Sequence, residues 1–309
     1  MTETTAWVLF NVFVVAMLAL DLGVIHRRAQ RLSLRQALAW SALWIAIAAV
    51  FAVLLEQWQG RTAALEFSTA YLIELSLSAD NLFIFLLIFR FFRLPEKNQY
   101  RVLFWGILAA ILIRAALIFV GVGLIRRFHW IIYGFGALLV YSGLRLLFHT
   151  GAQIDPEKNP VLRLVRKLIP VTPDYVGSKF FVRQGAQLWA TPLLLVLLVI
   201  ETTDVIFAAD SIPAVLAITL NTFVVYTSNI LAMLGLRSFF FALSSLLNVF
   251  EYLHYGISCV LVFVGIKMLL SHTFPIRTDV SLGVIGAILL VAIVVSALHE
   301  DKKPESQES

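Results

Sequence analysis

The chain has 309 residues, of which 60% are hydrophobic and only 14% are charged, and its mean hydropathy is +0.89. A soluble domain of this size needs far more polar surface, so the composition excludes a soluble globular fold. Stretches of about 20 apolar residues, the length that crosses a bilayer, recur from Trp7 almost to the C-terminus and predict a protein that crosses the membrane many times.

Taken in chain order, the apolar stretches predict nine membrane-spanning helices and an all-α polytopic membrane protein. The N-terminus lacks the basic segment and the cleavage site of a signal peptide, so we expect the first helix to remain in the mature protein. The predicted spans are 7–25, 37–56, 66–89, 102–124, 130–148, 189–210, 222–246, 254–271 and 280–298.

The charges of the connections predict the orientation of the chain. Sixteen Lys and Arg residues lie in the segments after the first, third, fifth and ninth helices, against four in the alternate connections. Because basic loops face the cytoplasm, we expect the N-terminus outside and the C-terminus in the cytoplasm. This alternation explains the net charge of +5, and we expect no nucleic-acid partner.

The long loop, 149–188, is predicted to be cytoplasmic. Its segment PVLRLVRKLIP combines apolar and basic residues, which favours a short helix on the inner interface, although a docking linker is the alternative. The following KFFVRQGAQLWATP predicts a small hairpin that turns at Gln184 and Gly185. The polar tail, 299–309, is predicted to be disordered and cytoplasmic.

Two sets of four polar residues recur at nearly the same spacing, with intervals of 34, 19 and 12 residues in one and 33, 18 and 12 in the other. They predict two repeats of three helices, over 66–148 and 189–271. Because three is odd, the second repeat enters the membrane from the opposite side, as in the inverted repeats of secondary transporters. The sets are Asp80, Arg114, Tyr133 and Arg145, and Asp204, Arg237, Tyr255 and Lys267.

Five acidic residues fall inside the predicted third and sixth helices. Each carboxylate costs roughly 2.5 to 3.5 kcal/mol at a bilayer centre, so the five require partners. Arg114, Arg237 and Lys267 can pair with three and leave two negative charges, which suit a divalent cation or protons. The acidic residues are Glu74, Asp80, Glu201, Asp204 and Asp210.

Helical geometry places some of these groups together. Glu201 and Asp204 share one face of the sixth helix. Glu74, Ser78 and Asn81 share one face of the third. The pattern predicts a site where the two helices meet.

Asp80 and Asp210 lie outside those faces. They reach a shared site only if the helices unwind locally. Pro213 removes a backbone hydrogen bond close to Asp210, which favours a broken helix there.

The donor chemistry of the predicted site restricts the ion. Carboxylates, an amide and hydroxyls are hard oxygen ligands, which suit Mg²⁺, Ca²⁺ or Mn²⁺ better than zinc or copper. No signature of an organic cofactor is present, and the single cysteine, Cys259, forms no internal disulfide. The additional oxygen ligands are Ser78, Asn81, Thr202, Thr203 and Ser211.

Four segments of the chain resemble the TerC family, and the resemblance runs from the basic first loop to the ninth helix. They are SLSADN, ETTDVIFAADSIPA, TSNILAMLGLRSFFF and VFVGIKMLL. The resemblance implies one TerC-type membrane domain over 1–309, in a family of nine-span proteins of the cell inner membrane. Members are linked to tellurium resistance, to redox modulation and, in some cases, to manganese export. The family's motif residues fall on Glu74, Asp80, Asn81, Glu201, Asp204 and Asp210.

These observations together predict an exporter of Mn²⁺, with a midplane carboxylate site on helices 3 and 6 that opens alternately to each face. Arg114 and Arg237 are expected to pair with its carboxylates, each with the aspartate of its own repeat, and inward proton movement is expected to drive export. The alternative is a non-transporting membrane scaffold in the response to metal, tellurium or redox stress, with protein partners that the sequence does not identify. An intramembrane protease is disfavoured because neither GxGD nor HExxH occurs, so no enzymatic activity is expected.

Overall fold

The structure, a computed structural model, describes most of the chain. The described residues are 2–20, 34–148, 159–185, 187–245, 253–274 and 276–300, without the side chains of 79, 80, 160, 245, 253 and 297–300. Most of the basic first connection, the start of the long loop and the tail beyond 300 therefore lie outside the described residues.

The described chain folds into ten helices and one hairpin, which confirms the predicted all-α polytopic architecture. Eight helices are long and apolar enough to cross a membrane, and α9 is a shorter apolar helix, so these nine correspond in order to the predicted spans. The elements are α1 (Glu3–Leu20), α2 (Leu34–Gln59), α3 (Arg61–Phe91), α4 (Glu96–Arg127), α5 (Ile131–Phe148), α6 (Pro160–Leu168), β1 (Phe181–Gln184), β2 (Gln187–Ala190), α7 (Pro192–Leu216), α8 (Thr222–Ser245), α9 (Leu253–Leu269) and α10 (Thr278–Glu300).

Helices α3 and α4 are longer than the predicted spans. They contain 31 and 32 residues, about 46 to 48 Å at 1.5 Å per residue, whereas the hydrocarbon is about 30 Å thick. Arg90 lies in the last turn of α3, and Arg126 and Arg127 lie in the last turn of α4. Hydropathy marks only the part of each helix that lies in lipid, which is why the predicted spans were too short.

The prediction of a broken helix near Pro213 is wrong. Helix α7 continues through Pro213 to Leu216, six residues beyond the predicted end. Pro213 lies in the last turn, where the Ala217 amide still donates to the Pro213 carbonyl at 2.9 Å. Loss of one hydrogen bond so close to the end does not interrupt the helix.

Helix α8 forms the centre of the bundle. Within its apolar stretch 94% of the residues are buried, against 17% for α1 and for α5. Helices α2, α3 and α4 pack around it. The outer helices present apolar side chains outward, as expected for surfaces that face lipid.

The helices of the two predicted repeats pack crosswise. Helix α3 packs against α8, and α4 packs against α7, so each of these contacts joins one predicted repeat to the other. Helix α5 packs along α9. The central structure is therefore built from contacts between the repeats.

The α5–α9 contact depends on small residues and is reciprocal. A Cβ atom added at Gly143 would lie 2.8 Å from the Ser258 carbonyl oxygen. A Cβ atom added at Gly265 would lie 2.8 Å from the Gly136 carbonyl oxygen. Gly143 and Gly265 are 122 residues apart in the sequence, as are Gly136 and Ser258, and a two-fold relation between the helices produces such a pattern. The contact agrees with the inverted repeat, which stays a prediction.

The long loop contains both predicted elements. Helix α6 begins where the Asn159 side chain accepts hydrogen bonds from the amides of Val161 and Leu162, at 2.9 and 3.3 Å. Strands β1 and β2 pair antiparallel, which confirms the hairpin. Gln184 pairs with Gln187 and therefore belongs to β1 rather than to the turn as predicted, and Gly185 follows it with a positive φ of 63°.

This loop is fastened to the end of the bundle where α3 ends and α4 and α7 begin, which we call the loop end. The Tyr175 hydroxyl donates to the Phe92 carbonyl at 2.8 Å, and the Asn98 side chain donates to the Gly177 carbonyl at 3.0 Å. Burial raises the pKa of Tyr175 to about 12, so its hydroxyl keeps its proton near neutral pH. The loop is thus held against α3 and α4.

The close approach of α5 and α9 predicts the effect of adding one methyl group. We expect Gly143→Ala and Gly265→Ala each to destabilise the protein by about 1 to 3 kcal/mol, because a backbone carbonyl opposes each new Cβ atom. Thermal unfolding of the purified protein in detergent measures the effect.

Gly283→Ala and Gly286→Ala on α10 are the matched controls, since nothing lies within 4 Å of a Cβ atom at either position. Alanine favours helix there, so we expect an unchanged or higher melting temperature. Equal destabilisation by all four substitutions would contradict the close α5–α9 contact.

Candidate functional site

The site is organised around Arg114, which lies near the middle of α4 and is only 1% exposed. Its Nε and Nη2 atoms donate to the two carboxylate oxygens of Asp204 on α7, at 3.1 and 2.9 Å. Its Nη1 atom donates to the Glu74 carboxylate on α3 and, at 3.3 Å, to the Ser211 hydroxyl on α7. One guanidinium group therefore joins three helices.

Burial makes these ion pairs costly to break. Glu74 and Asp204 are 0% and 3% exposed, and each lies near the middle of its helix. Arg114 binds Asp204 through two parallel hydrogen bonds, the strongest arrangement for a guanidinium and a carboxylate. Breaking a buried pair by removing one partner costs roughly 3 to 5 kcal/mol. Arg114 thus compensates carboxylates from both predicted repeats.

Glu201 lies one turn before Asp204 on α7 and faces α4. Its Oε1 atom would lie 3.2 Å from a Cβ atom at Gly106, so the missing side chain there makes room for the carboxylate. Both carboxylate oxygens are buried and accept no hydrogen bond from any residue that the structure describes. An uncompensated carboxylate is unusual in a protein interior, where buried polar groups are normally paired.

A small cavity lies beside Glu201 and Asp204, with room for about one water-sized molecule. It is formed where α3, α4, α7 and α8 meet, and its other walls are apolar. The other lining residues are Phe85, Leu103, Gly106, Ile107, Ala110, Ile200, Met233 and Leu236. The two carboxylates are therefore the only charged groups among the lining residues.

Several further polar atoms near the middle of the bundle lack partners among the described residues. On α3 they are the Tyr71 hydroxyl, one Glu74 oxygen and the Ser78 hydroxyl, which the helical repeat places on one face. On α8 the whole Asn229 amide lacks a partner, although Asn229 is 0% exposed. Each such atom costs roughly 1 to 3 kcal/mol when it is buried without a hydrogen bond.

These groups can supply hard oxygen ligands to a cation. Glu74, Asp204 and Glu201 carry three negative charges against the single positive charge of Arg114 when all are ionised. Among the described side chains, however, no three His, Cys, Asp or Glu residues lie close enough together to hold a metal ion. Arg114 lies between Glu74 and Asp204 and occupies the space in which their oxygens would meet a common ion.

Asp210 lies apart from this cluster. It accepts a hydrogen bond from the Ser142 hydroxyl of α5 at 2.7 Å, and Arg145 is the cation that acts on it electrostatically. Because α7 is unbroken, Asp210 stays about 9 Å along the helix axis from Asp204 and about 120° around it. The expected convergence of Asp210 through local unwinding does not occur.

The remaining predicted ligands are placed as follows. Asn81 is buried on α3, while the side chain of Asp80 lies outside the described residues. Thr202 and Thr203 donate their hydroxyl protons to the carbonyls of residues four positions earlier, at 2.6 and 2.7 Å. Ser211 belongs to the cluster through Arg114. The structure therefore brings Glu74, Asp204 and Ser211 together around Arg114.

The two other predicted charge-pairing residues have different surroundings. Arg237 on α8 donates to the Tyr100 hydroxyl at 2.9 Å, and its guanidinium lies 4.7 Å from the Tyr100 ring centroid. Lys267 on α9 is buried, and Glu66 of α3 acts on it electrostatically.

The predicted pairing of Asp204 with the arginine of its own repeat is wrong, because Asp204 binds Arg114 of the other repeat. The reason is the crosswise packing, which places α4 beside α7. Sequence spacing relates positions within each repeat but does not show which helices become neighbours.

Sequence reasoning missed four residues that shape these sites: Gly106, Tyr100, Ser142 and Asn229. The sequence does mark Asn229 as a candidate, because an amide side chain is unusual in an otherwise apolar membrane span. The other three act through contacts between helices that are distant in sequence.

Comparison with known proteins agrees with this architecture. Residues 59–304 match the family described as "Integral membrane protein TerC family". The "Uncharacterized membrane protein STKORF319" of Myxococcus xanthus is 47% identical over 300 residues, which cover 97% of this chain and 94% of the relative. No solved structure matches the chain.

Two further relatives carry the name "Putative membrane-bound redox modulator Alx". The protein of Salmonella typhi is 42% identical over 313 residues, which cover 97% of each chain. The protein of Escherichia coli (strain K12) is 42% identical over 300 residues, which cover 94% of each chain. The family match and these nearly full-length likenesses agree, and the chain belongs to the TerC family of integral membrane proteins.

Proposed function

We propose that this protein is a transporter that exports divalent metal cations, with Mn²⁺ as its substrate. The observation that carries the proposal is the buried group of Glu74 and Asp204 bound to Arg114, with Glu201 one turn from Asp204 on α7 and beside the cavity. Ionisable groups at the depth of the hydrocarbon are costly and are typical of ion pathways. A protein that only needed to fold would gain nothing from three carboxylates and one cation there.

The charge of the cluster supports a divalent substrate. Three ionised carboxylates and one guanidinium leave two negative charges, which one divalent cation neutralises. The oxygens of Glu201 and the second oxygen of Glu74 accept no hydrogen bond from the described residues, so they are available as ligands. All the donors are hard oxygens, which suit Mn²⁺ as well as Mg²⁺ and Ca²⁺. The family resemblance favours Mn²⁺ among the three.

Arg114 gives the proposed cycle a physical basis. A cation and the guanidinium compete for the same oxygens of Glu74 and Asp204, so the two arrangements exclude each other. When Mn²⁺ binds, the guanidinium must leave these carboxylates, and α3 and α7 lose their common partner. Cation binding is thereby coupled to the relative position of the two halves, as alternating access requires.

Two other expectations belong to this proposal. Protons are the candidate driving ion, because a carboxylate removed from water readily binds a proton. The resemblance to the TerC family implies the cell inner membrane, and the basic connections favour an N-terminus outside and a C-terminus in the cytoplasm.

A non-transporting scaffold in metal, tellurium or redox stress remains the alternative. The name of the Alx relatives refers to redox modulation. This chain has a single cysteine, Cys259, and cannot form an internal disulfide, so we propose that any redox effect follows from the movement of the metal. The buried charged cluster favours transport over the scaffold, which has no need for it.

The first prediction concerns Asp204. Asp204→Asn removes one negative charge and one arm of the Arg114 bridge, so we expect it to abolish most Mn²⁺ export. Cellular manganese is measured in cells that lack their own exporter and produce the variant at normal abundance.

Asp279→Asn is the matched control, because Asp279 lies at the exposed start of α10 and pairs with Arg277. It should export like the unaltered protein. Normal export by Asp204→Asn at normal abundance would contradict the proposed site.

The second prediction concerns Gly106. A methyl group at this position would lie 3.2 Å from the Glu201 carboxylate, which would have to move by a few tenths of an ångström. We expect Gly106→Ala to weaken Mn²⁺ binding about tenfold, which corresponds to about 1.4 kcal/mol. Isothermal titration of the purified protein with Mn²⁺ measures the change.

Gly123→Ala on the same helix is its control, since nothing lies within 4 Å of a Cβ atom there. It should leave Mn²⁺ affinity unchanged. If Gly106→Ala and Gly123→Ala bind Mn²⁺ equally well, Glu201 is not a ligand.

A further inference from the structure

Helix α6 exposes both apolar and basic side chains. Leu164 and Leu168 are 56% and 70% exposed; Lys167 is exposed beside Leu164, and Arg166 is exposed on the opposite side of the helix from the two leucines. Neither Arg166 nor Lys167 forms an ion pair within the part of the chain that the structure describes. A short helix with this combination is typical of segments that lie in a membrane interface.

The opposite face of α6 fixes the helix to the bundle. Leu162 is 1% exposed and joins the same buried cluster as Leu193, and Val165 packs against that cluster. Leu193 begins the apolar part of α7, against which α6 packs. Helix α6 is therefore level with the first apolar turns of α7, where hydrocarbon gives way to headgroups.

The hairpin also exposes apolar and basic side chains together. Arg183 and Leu188 are cross-strand partners, so their side chains stand together on one face of the hairpin, and both are exposed. Phe181 lies two residues before Arg183, on the same face, and is 44% exposed. Two neighbouring elements at the loop end thus present apolar side chains beside cations.

The loop end carries a strong positive charge. The described residues in 90–101 and 159–190 include nine Lys and Arg residues but only two acidic ones, Glu96 and Asp174. Basic clusters beside membrane-spanning helices attract anionic lipid headgroups.

We propose that α6 and the hairpin form a binding site for the headgroups of anionic phospholipids in the surrounding bilayer. Lipid phosphates lie against Arg166 and Lys167 on the basic side of α6, and acyl chains follow Leu164 and Leu168 on its apolar side. A soluble acidic partner would not require apolar side chains at the level of the hydrocarbon boundary, which favours lipid. The site is independent of the transported ion.

The test uses the full chain purified in a neutral detergent. Its melting temperature is measured with added dioleoylphosphatidylglycerol, dioleoylphosphatidylcholine, inorganic phosphate or polyglutamate, because a ligand that binds the folded protein raises this temperature. We expect phosphatidylglycerol to raise it in a saturable manner, and the other three to have little effect. The apparent affinity for phosphatidylglycerol should fall as salt is added.

Substitutions test whether the named residues bind the lipid. Arg166→Gln with Lys167→Gln should weaken the apparent affinity roughly fivefold for each charge removed. Arg166→Lys with Lys167→Arg keeps both charges and should retain most of the affinity. Arg61→Gln with Arg127→Gln removes two exposed charges at the opposite end of the bundle and should leave the affinity unchanged.

Three results would overturn the proposal. One is an equal rise with phosphatidylcholine, which would indicate general lipid solvation. Another is an equal rise with polyglutamate or phosphate, which would indicate an acidic protein partner or a free anion. The third is unchanged phosphatidylglycerol affinity after the double substitution to glutamine.

Discussion

Arg114 donates hydrogen bonds to carboxylates on two different helices at a depth where water solvates none of the three groups. Removing Arg114 would leave two buried carboxylates without their common partner, and breaking a buried ion pair costs roughly 3 to 5 kcal/mol. The arrangement therefore requires α3, α4 and α7 to come together at Arg114. The crosswise contacts, the continuous course of α7 and the position of Glu201 beside α4 are all consistent with that requirement.

Under the proposed function, the same pairing makes the centre of the bundle sensitive to a cation. In an apolar core, packing alone holds helices together, and no small ligand changes it. Here a divalent ion and a guanidinium are alternatives for the same oxygens of Glu74 and Asp204. The unpartnered oxygens of Glu201 add negative charge next to this exchange. The α5–α9 contact brings backbone and small residues close together. In the proposed cycle this contact stays fixed while the two repeats move relative to each other.

The sequence predicted much of this fold because the hydrocarbon core of a bilayer restricts the length and composition of the segments that can cross it. The order of the spans, the loop helix and the hairpin follow from apolar length, amphipathic pattern and turn residues, and the structure confirms them. The intramembrane charges of Glu74, Asp204 and Arg114 were equally visible. Their partners were not, because pairing depends on which helices pack together, and the repeat spacing wrongly suggested Arg237 for Asp204. The break predicted from Pro213 is absent because a proline interrupts a helix less when it lies close to the helix end.

In the proposed function, the carboxylates near Arg114 carry a divalent cation across the membrane. The most direct measurement is Mn²⁺ entry into liposomes that contain only this protein, followed by quenching of an enclosed metal-sensitive dye. We expect saturable quenching that is much faster than in protein-free liposomes and that Ca²⁺ and Mg²⁺ inhibit only weakly. Quenching no faster than in protein-free liposomes, with correctly folded protein in the membrane, would contradict the proposed function and favour a scaffold.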